Sequence, residues 1–245
     1  MKPLRIVMWS GPRNLSTAMM RSFGARADTS VVDEPFYAAY LATTGIDHPT
    51  RDEIIANGET DWHRVAEDCA REPVDPPIRY EKHMTHHVTE GVGLDWMRGA
   101  AIAFLIRDPR SVAASYAAKR KDITAADIGN ARQAEIFDIV ADMQGMLPPV
   151  VDAADVRVAP EAVLRKLCAA LAIPWDPAML SWPAAPQPSD GIWGKHWYAA
   201  VNASTSFAPP EGVPPVPPAL IENVAAEARP HYERLARYRA MRQSW

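Results

Sequence analysis

Two segments of this 245-residue chain carry the residue types that hold anions. The first, Trp9 to Thr17, reads WSGPRNLST. It leaves an apolar run and enters a helical pattern, where backbone N–H groups and the helix dipole point at a bound anion. Gly11 permits close backbone approach, and Asn14 sits inside the turn. Arg13 adds a planar charged fork, and Ser16 and Thr17 add hydroxyls. The second segment, Ile106 to Tyr116, reads IRDPRSVAASY. Asp108 suits a helix N-cap and Pro109 the first helical position. Ser111 and Ser115 then share a helix face, so Arg107 and Ser115 are placed to grip a second anion together. The first loop lacks the late lysine of a GxxxxGK[ST] loop, and the chain has no lysine between Lys2 and Lys82. That disfavours a nucleoside triphosphatase or other P-loop phosphotransferase.

The elements that must position these residues alternate in type. Short segments rich in apolar, β-branched or aromatic residues predict strands over Leu4–Trp9, Ser30–Asp33, Ile78–Lys82, Ala100–Ile106 and Asp155–Val158. Helical periodicity predicts helices over Leu15–Ala27, Asp61–Arg71, Ile123–Met146 and Pro160–Leu171, with another starting at Asp108-Pro109. The 100–106 run is apolar throughout, as expected of a parallel strand covered on both faces. Strand–helix alternation predicts a single α/β domain over residues 1–245, with a central, mostly parallel sheet flanked by helices. The region 183–218 is proline-rich and reads as loops over that core, with the aperiodic segment GIWGKHWYAAVNASTSF inside it. A closing helix is expected over Ala219–Met241, interrupted at Pro230.

Taken together, the two segments resemble the sulfotransferases that use 3′-phosphoadenosine 5′-phosphosulfate (PAPS). In that family a loop of the type P-[RK]-S-G-[ST]-T binds the 5′-phosphosulfate, and here Pro12, Arg13, Asn14, Leu15, Ser16 and Thr17 occupy it. A later R-[DN]-P-[RK]-x-x-x-x-S binds the 3′-phosphate, and Arg107, Asp108, Pro109, Arg110 and Ser115 fill it completely. The run VRVAPEAVLRKLCAALAIPWD is similar to a further strand–loop–helix of the family. The likeness extends from about Leu4 to Asp176 and implies a three-layer P-loop-type fold. One departure stands out: Asn14-Leu15 replaces the Ser-Gly pair. Leucine enters left-handed backbone geometry only at a cost, so the loop is expected to turn differently there.

The resemblance implies a mechanism without a metal. Arg13 would sit against the 5′-phosphate and leaving oxygen, Ser16, Thr17 and backbone amides would hold the phosphate, and Arg107 and Ser115 the 3′-phosphate. Two bases are open. Glu34, in VVDEPF, stands where the carbohydrate and tyrosylprotein enzymes have an acid. His83, in YEKHMTHH, resembles the Lys-Thr-His segment of the cytosolic aryl and steroid enzymes, one residue short. Lys82 would contact the sulfuryl group. His86 and His87 read as partly exposed polar residues at a helix start. Lys195 falls in a segment similar to the family's basic loop over the nucleotide, with Trp193 or Trp197 stacking on a ring. The expected acceptor is a hydroxyl or amine of a small molecule. A nucleotide-binding module without transfer activity is the alternative, with Asn14-Leu15 as its sign, and a P-loop phosphotransferase is the third reading.

Composition sets the remaining bounds. The AVILMFWYC residues make up 48% and the charged residues 23%, a globular mix. Lys and Arg number 26 against 30 Asp and Glu, a net charge of -4. This argues against a general nucleic-acid or anionic-membrane partner. The two cysteines, Cys69 and Cys168, form no CxxC pair, and the sequence offers no metal cluster. The opening residues lack signal-peptide character, and no apolar run approaches the ~18 residues of a membrane span, so a soluble cytoplasmic protein is expected. The sequence does not indicate an oligomeric state.

Overall fold

A computed structural model describes residues 3–73, 75–89, 91–117, 123–210 and 219–239. Its centre is a five-stranded sheet: β1 (Leu4–Ser10), β2 (Thr29–Asp33), β3 (Ile78–Met84), β4 (Ala101–Ile106) and β5 (Val150–Asp152). The spatial order is β2-β3-β1-β4-β5, and every pair is parallel. The helices, in chain order, are α1 (Ser16–Gly24), α2 (Tyr37–Thr44), α3 (Arg51–Asn57), α4 (Trp62–Ala70), α5 (Pro109–Ala117), α6 (Ala125–Ile128), α7 (Asn130–Gln144), α8 (Ala153–Val158), α9 (Pro160–Ala170), α10 (Gly194–Trp197), α11 (Ala199–Asn202) and α12 (Ala219–Ala236).

Period-2 alternation sorts the strand side chains into two cores. Ile6, Met8, Ile78, Tyr80, Ala103 and Leu105 pack with Phe23 of α1 and Val163 and Leu167 of α9. Val7, Trp9, Ile102 and Phe104 pack with Val65 of α4, Ile136 and Phe137 of α7 and Leu235 of α12. The result is the expected three-layer α/β architecture. β1 lies between β3 and β4, so the chain leaves it toward a crevice where strand order reverses, the usual ligand position in open parallel sheets.

Several expectations needed correction. Asp155–Val158 is helical (α8), and the last strand is Val150–Asp152. The β-branched valines favoured a strand, but the Asp152 carboxylate accepts from Ala154 N at 2.9 Å and caps a helix there instead. Pro230 lies inside α12, which continues past it to Ala236. Val224, Ala225 and Ala228 before it and Leu235 after it are buried, so tertiary packing holds the helix through the missing hydrogen bond. The helix expected over 123–146 divides at Gly129, whose φ of 72° ends α6 and starts α7. α2 and α3 had no expected counterpart, and the region expected to be loops holds two single-turn helices, α10 and α11. Residues 211–218 of the proline-rich region and the end of the last expected helix, at Met241, lie outside the described residues. Both cysteines are buried free thiols. Among the described residues, no helix is long and apolar enough to cross a membrane.

Candidate active site

The loop between β1 and α1 is tightly wound. Arg13 and Leu15 both have left-handed backbones, with φ of 59° and 70°. Leu15 therefore does adopt the geometry that its side chain disfavours. Strain of this kind persists only where the surroundings impose it, and those surroundings are visible. Asn14, 2% exposed, donates from Nδ2 to Leu105 O at 3.3 Å, which ties the loop to β4. Arg107 donates to the Arg13 carbonyl. Gly11 is required by packing: a Cβ there would lie 2.5 Å from the Ile128 carbonyl oxygen of α6. Leu15 provides no side-chain cap for α1, and no acid stands in its first turn. An uncapped helix start, with Ser16 and Thr17 at its first two positions, leaves donors for an anion.

The second segment closes onto the first. Arg13 Nε donates to Ser115 Oγ at 3.0 Å, so the two motifs meet directly. Burial, and then the neighbouring Arg107 charge, lower the Arg13 pKa, a cationic environment that a bound anion would relieve. Asp108 Oδ1 accepts from the amides of Arg110 at 2.9 Å and Ser111 at 3.4 Å and caps α5. Arg110 turns away and pairs with Glu222 of α12.

On the other side of the crevice lies a buried charge cluster. Lys82, 1% exposed, donates to Asp33 Oδ1 at 2.9 Å, Glu34 Oε1 at 2.6 Å and Tyr198 OH at 2.5 Å. The register of β2 against β3 places Asp33 directly opposite Lys82. Burial alone would lower the Lys82 pKa, but Asp33 and Glu34 outweigh it and hold it raised. Burial raises the pKa of Glu34 against the pull of Lys82. Tyr198 OH donates to Asp33 Oδ2 at 2.7 Å and accepts from Trp193 Nε1 at 3.0 Å. Burial, then Asp33, keeps this phenol protonated, well above its ordinary range. Glu34 itself has a φ of 45°, the third strained non-glycine residue in the site.

One cavity of about 270 Å³ joins the two sides. Arg13, Ser16 and Thr17 of the loop and α1 line it together with Glu34, Lys82, Tyr37, His48, His86 and His87. The structure thus brings Arg13, Ser16, Thr17, Glu34 and Lys82 to one space, with Gly11, Asn14, Arg107 and Ser115 shaping the loop behind it.

Two expected contacts lie elsewhere. His83 follows Lys82 on β3 and so points through the opposite face of the sheet. There it meets Glu81 at 3.0 Å among Trp9, Phe36 and Trp96. Lys195 is exposed and pairs with Glu53 of α3. Trp197 lines the cavity, whereas Trp193 supports Tyr198. Potential metal-ligand atoms do come together on the far face, where those of Cys69, Glu81 and His83 lie within 4.8 Å of one another. Glu81 there is already engaged by Arg79 at 2.7 Å. The residues missed in sequence are Asp33, Tyr198 and His87. Asp33 was visible beside Glu34 in VVDEPF. Tyr198 stands 116 positions from Lys82, and nothing local links the two. His87 is buried rather than partly exposed.

Comparison with known proteins places the chain in a family. The profile of a family described as a sulfotransferase domain matches residues 4–240. Two Arabidopsis thaliana proteins, branched-chain-amino-acid aminotransferase-like proteins 2 and 1, are 35% and 37% identical over 226 and 213 residues. These stretches are 91% and 87% of this chain but only 40% and 38% of the relatives' own lengths. Among solved structures, a sulfotransferase from Alicyclobacillus acidocaldarius superposes with a TM-score of 0.55 at 12% identity, covering 97% of this chain and 95% of that one. The sulfotransferase domain of the Synechococcus PCC 7002 olefin synthase gives 0.51 at 14%, covering 92% and 94%. Both show the likeness of fold, that of P-loop-like sulfotransferases. The family match extends from the first strand through the last described helix, and the chain belongs to the sulfotransferase domain family.

Proposed function

We propose that this protein transfers the sulfuryl group of PAPS to a hydroxyl or amine of a small molecule. The observation that carries the reading is the Arg13–Ser115 contact, which joins the two anion motifs beside a cavity that Arg13, Glu34 and Lys82 all line. The 5′-phosphosulfate would lie on the amides of the loop and the start of α1, with Arg13, Ser16 and Thr17 around it. The 3′-phosphate would lie against Arg107 and Ser115. Lys82, its three N–H donors held by Asp33, Glu34 and Tyr198, would fix the Glu34 carboxylate at the cavity and would reach a sulfuryl oxygen by exchanging one of these partners.

Glu34 receives the acceptor's proton as the oxygen or nitrogen attacks sulfur. Its raised pKa brings it nearer to the working pH of a general base. In-line attack with charge on the equatorial oxygens parallels phosphoryl transfer, where positioning and electrostatics supply most of the rate. The anchoring of Asn14 on β4 supports an intact loop rather than a decayed one.

The test is a screen of small hydroxyl and amine acceptors with PAPS, reading the released 3′,5′-bisphosphate. Donor-dependent release with at least one acceptor supports transfer. Nucleotide binding without release across the screen favours the module without transfer activity, and magnesium-dependent ATP binding in place of the bisphosphate favours a phosphotransferase.

A further inference from the structure

Glu34 uses its two oxygens differently. Oε1 is taken by Lys82 at 2.6 Å and faces Tyr198 OH at 3.4 Å. Oε2 lies 3.7 Å from His87 Nδ1. That nitrogen is buried without a hydrogen-bond partner, on a side chain that is itself only 4% exposed and lines the cavity. The imidazole is clamped between the rings of Tyr37, stacked at 4.3 Å, and Tyr40, stacked at 4.9 Å. The stacking explains a flat ring at this position but not a nitrogen, since an unpaired buried nitrogen carries a desolvation penalty that a phenylalanine would avoid.

We propose that His87 is the relay partner of Glu34, taking from its Oε2 the proton that Glu34 removes from the acceptor. The inference rests on the sulfuryl-transfer reading above. As the acceptor oxygen bonds to sulfur, its O–H bond breaks and the proton passes to Glu34 Oε2. The bond from sulfur to the bridging oxygen breaks, and its electron pair stays on the phosphate. The proton then moves to His87 Nδ1, which returns Glu34 to the carboxylate that Lys82 faces, and leaves to water as product departs. The present separation is longer than a hydrogen bond. Such contacts often tighten only in the reacting complex.

The groups around His87 keep its ring neutral at rest. Tyr37 and Tyr40 come from α2, His48 from the loop after it, Lys82 from β3, Glu34 from the end of β2, and His86 is its chain neighbour. Burial, then His86, His48 and Lys82, hold His87 well below the ordinary histidine pKa. It is thus neutral in the resting protein, and a proton taken from Glu34 is held only transiently before it passes to water.

The experiment is NMR of 15N-histidine-labelled protein, wild type and Glu34→Gln, with the His87 ring signal assigned by its loss in His87→Phe. The wild-type Nδ1 should report an unprotonated nitrogen, and its titration midpoint should fall when the carboxylate becomes an amide. A His87 signal that Glu34→Gln does not move overturns the proposal. In turnover, His87→Phe keeps the stacked ring and should lower kcat ~10–100-fold, with KM and bisphosphate affinity within about twofold. An unchanged kcat also overturns it. Should His87→Phe fold poorly, His87→Gln serves for both assignment and turnover. If the wild type releases no bisphosphate with any acceptor, the sulfuryl-transfer reading fails, and the NMR comparison still decides whether Glu34 and His87 are coupled.

Discussion

Glu34 leaves β2 with a left-handed backbone, accepts Lys82 on one oxygen and holds the other 3.7 Å from His87 Nδ1. Backbone strain of this kind costs about 1–3 kcal/mol per residue and tends to gather where geometry serves chemistry. Three of the five non-glycine residues with positive φ among the described residues, Arg13, Leu15 and Glu34, stand around this one cavity. Two predictions belong to single residues. Glu34→Gln should reduce turnover ~10²–10⁴-fold while nucleotide affinity stays near wild type, because the amide keeps the shape and loses the basicity. His83→Asn, on the far face of the sheet, should do much less harm. Steady-state kinetics with an identified acceptor and calorimetry with the bisphosphate check both variants, and an active Glu34→Gln beside a silent His83→Asn would return the base to His83. Arg107→Ala should weaken bisphosphate binding by about 1.5–3 kcal/mol, the scale of a charge-assisted hydrogen bond, and should do so more than Arg110→Ala. Arg107 holds the Arg13 carbonyl, whereas Arg110 is paired with Glu222 of α12. Equal losses in calorimetric titrations would contradict that assignment.

At the scale of elements, the loop between β1 and α1 is held from three directions: Asn14 on β4, Arg107 on the Arg13 carbonyl, and Gly11 against α6. Gly11→Ala should therefore destabilise the fold by about 1–3 kcal/mol, since the methyl would meet a backbone carbonyl rather than a flexible side chain. Urea unfolding measures this, and an unchanged midpoint would show that α6 yields to the methyl. The same elements show what local sequence can specify. β1 and β4 were legible because buried parallel strands are largely apolar runs, and the start of α5 because Asp108 and Pro109 announce it. α8 was misread because its valines favour a strand while Asp152, just before it, decides for a helix. The Glu34–Lys82 pair was half legible: each residue stood out beside its own strand, but the register that joins them is a property of the sheet. Tyr198 was not legible, because it reaches Lys82 only when the segment 187–198 folds over the sheet edge. There Asp190 pairs with Arg21 at 2.5 Å and Gly191 N donates to Asp33 at 3.0 Å.

For the whole molecule, the cavity is a place where distant parts of the chain meet: the first loop, the ends of β2 and β3, α2, α5 and the 197–208 segment. A ligand that bridges them binds the folded chain and has no counterpart site in the unfolded one, so it must stabilise the fold by mass action, by about 2.7 kcal/mol at a hundred times its dissociation constant. For an α/β domain of this size that is a shift of several degrees, since 1 kcal/mol moves the midpoint by roughly 2–4 °C. The most direct measurement is the thermal unfolding of the protein with and without millimolar 3′-phosphoadenosine 5′-phosphate. The account predicts a rise of several degrees that shrinks in Arg13→Ala and Arg107→Ala. Superimposable wild-type melting curves with and without the nucleotide would contradict it.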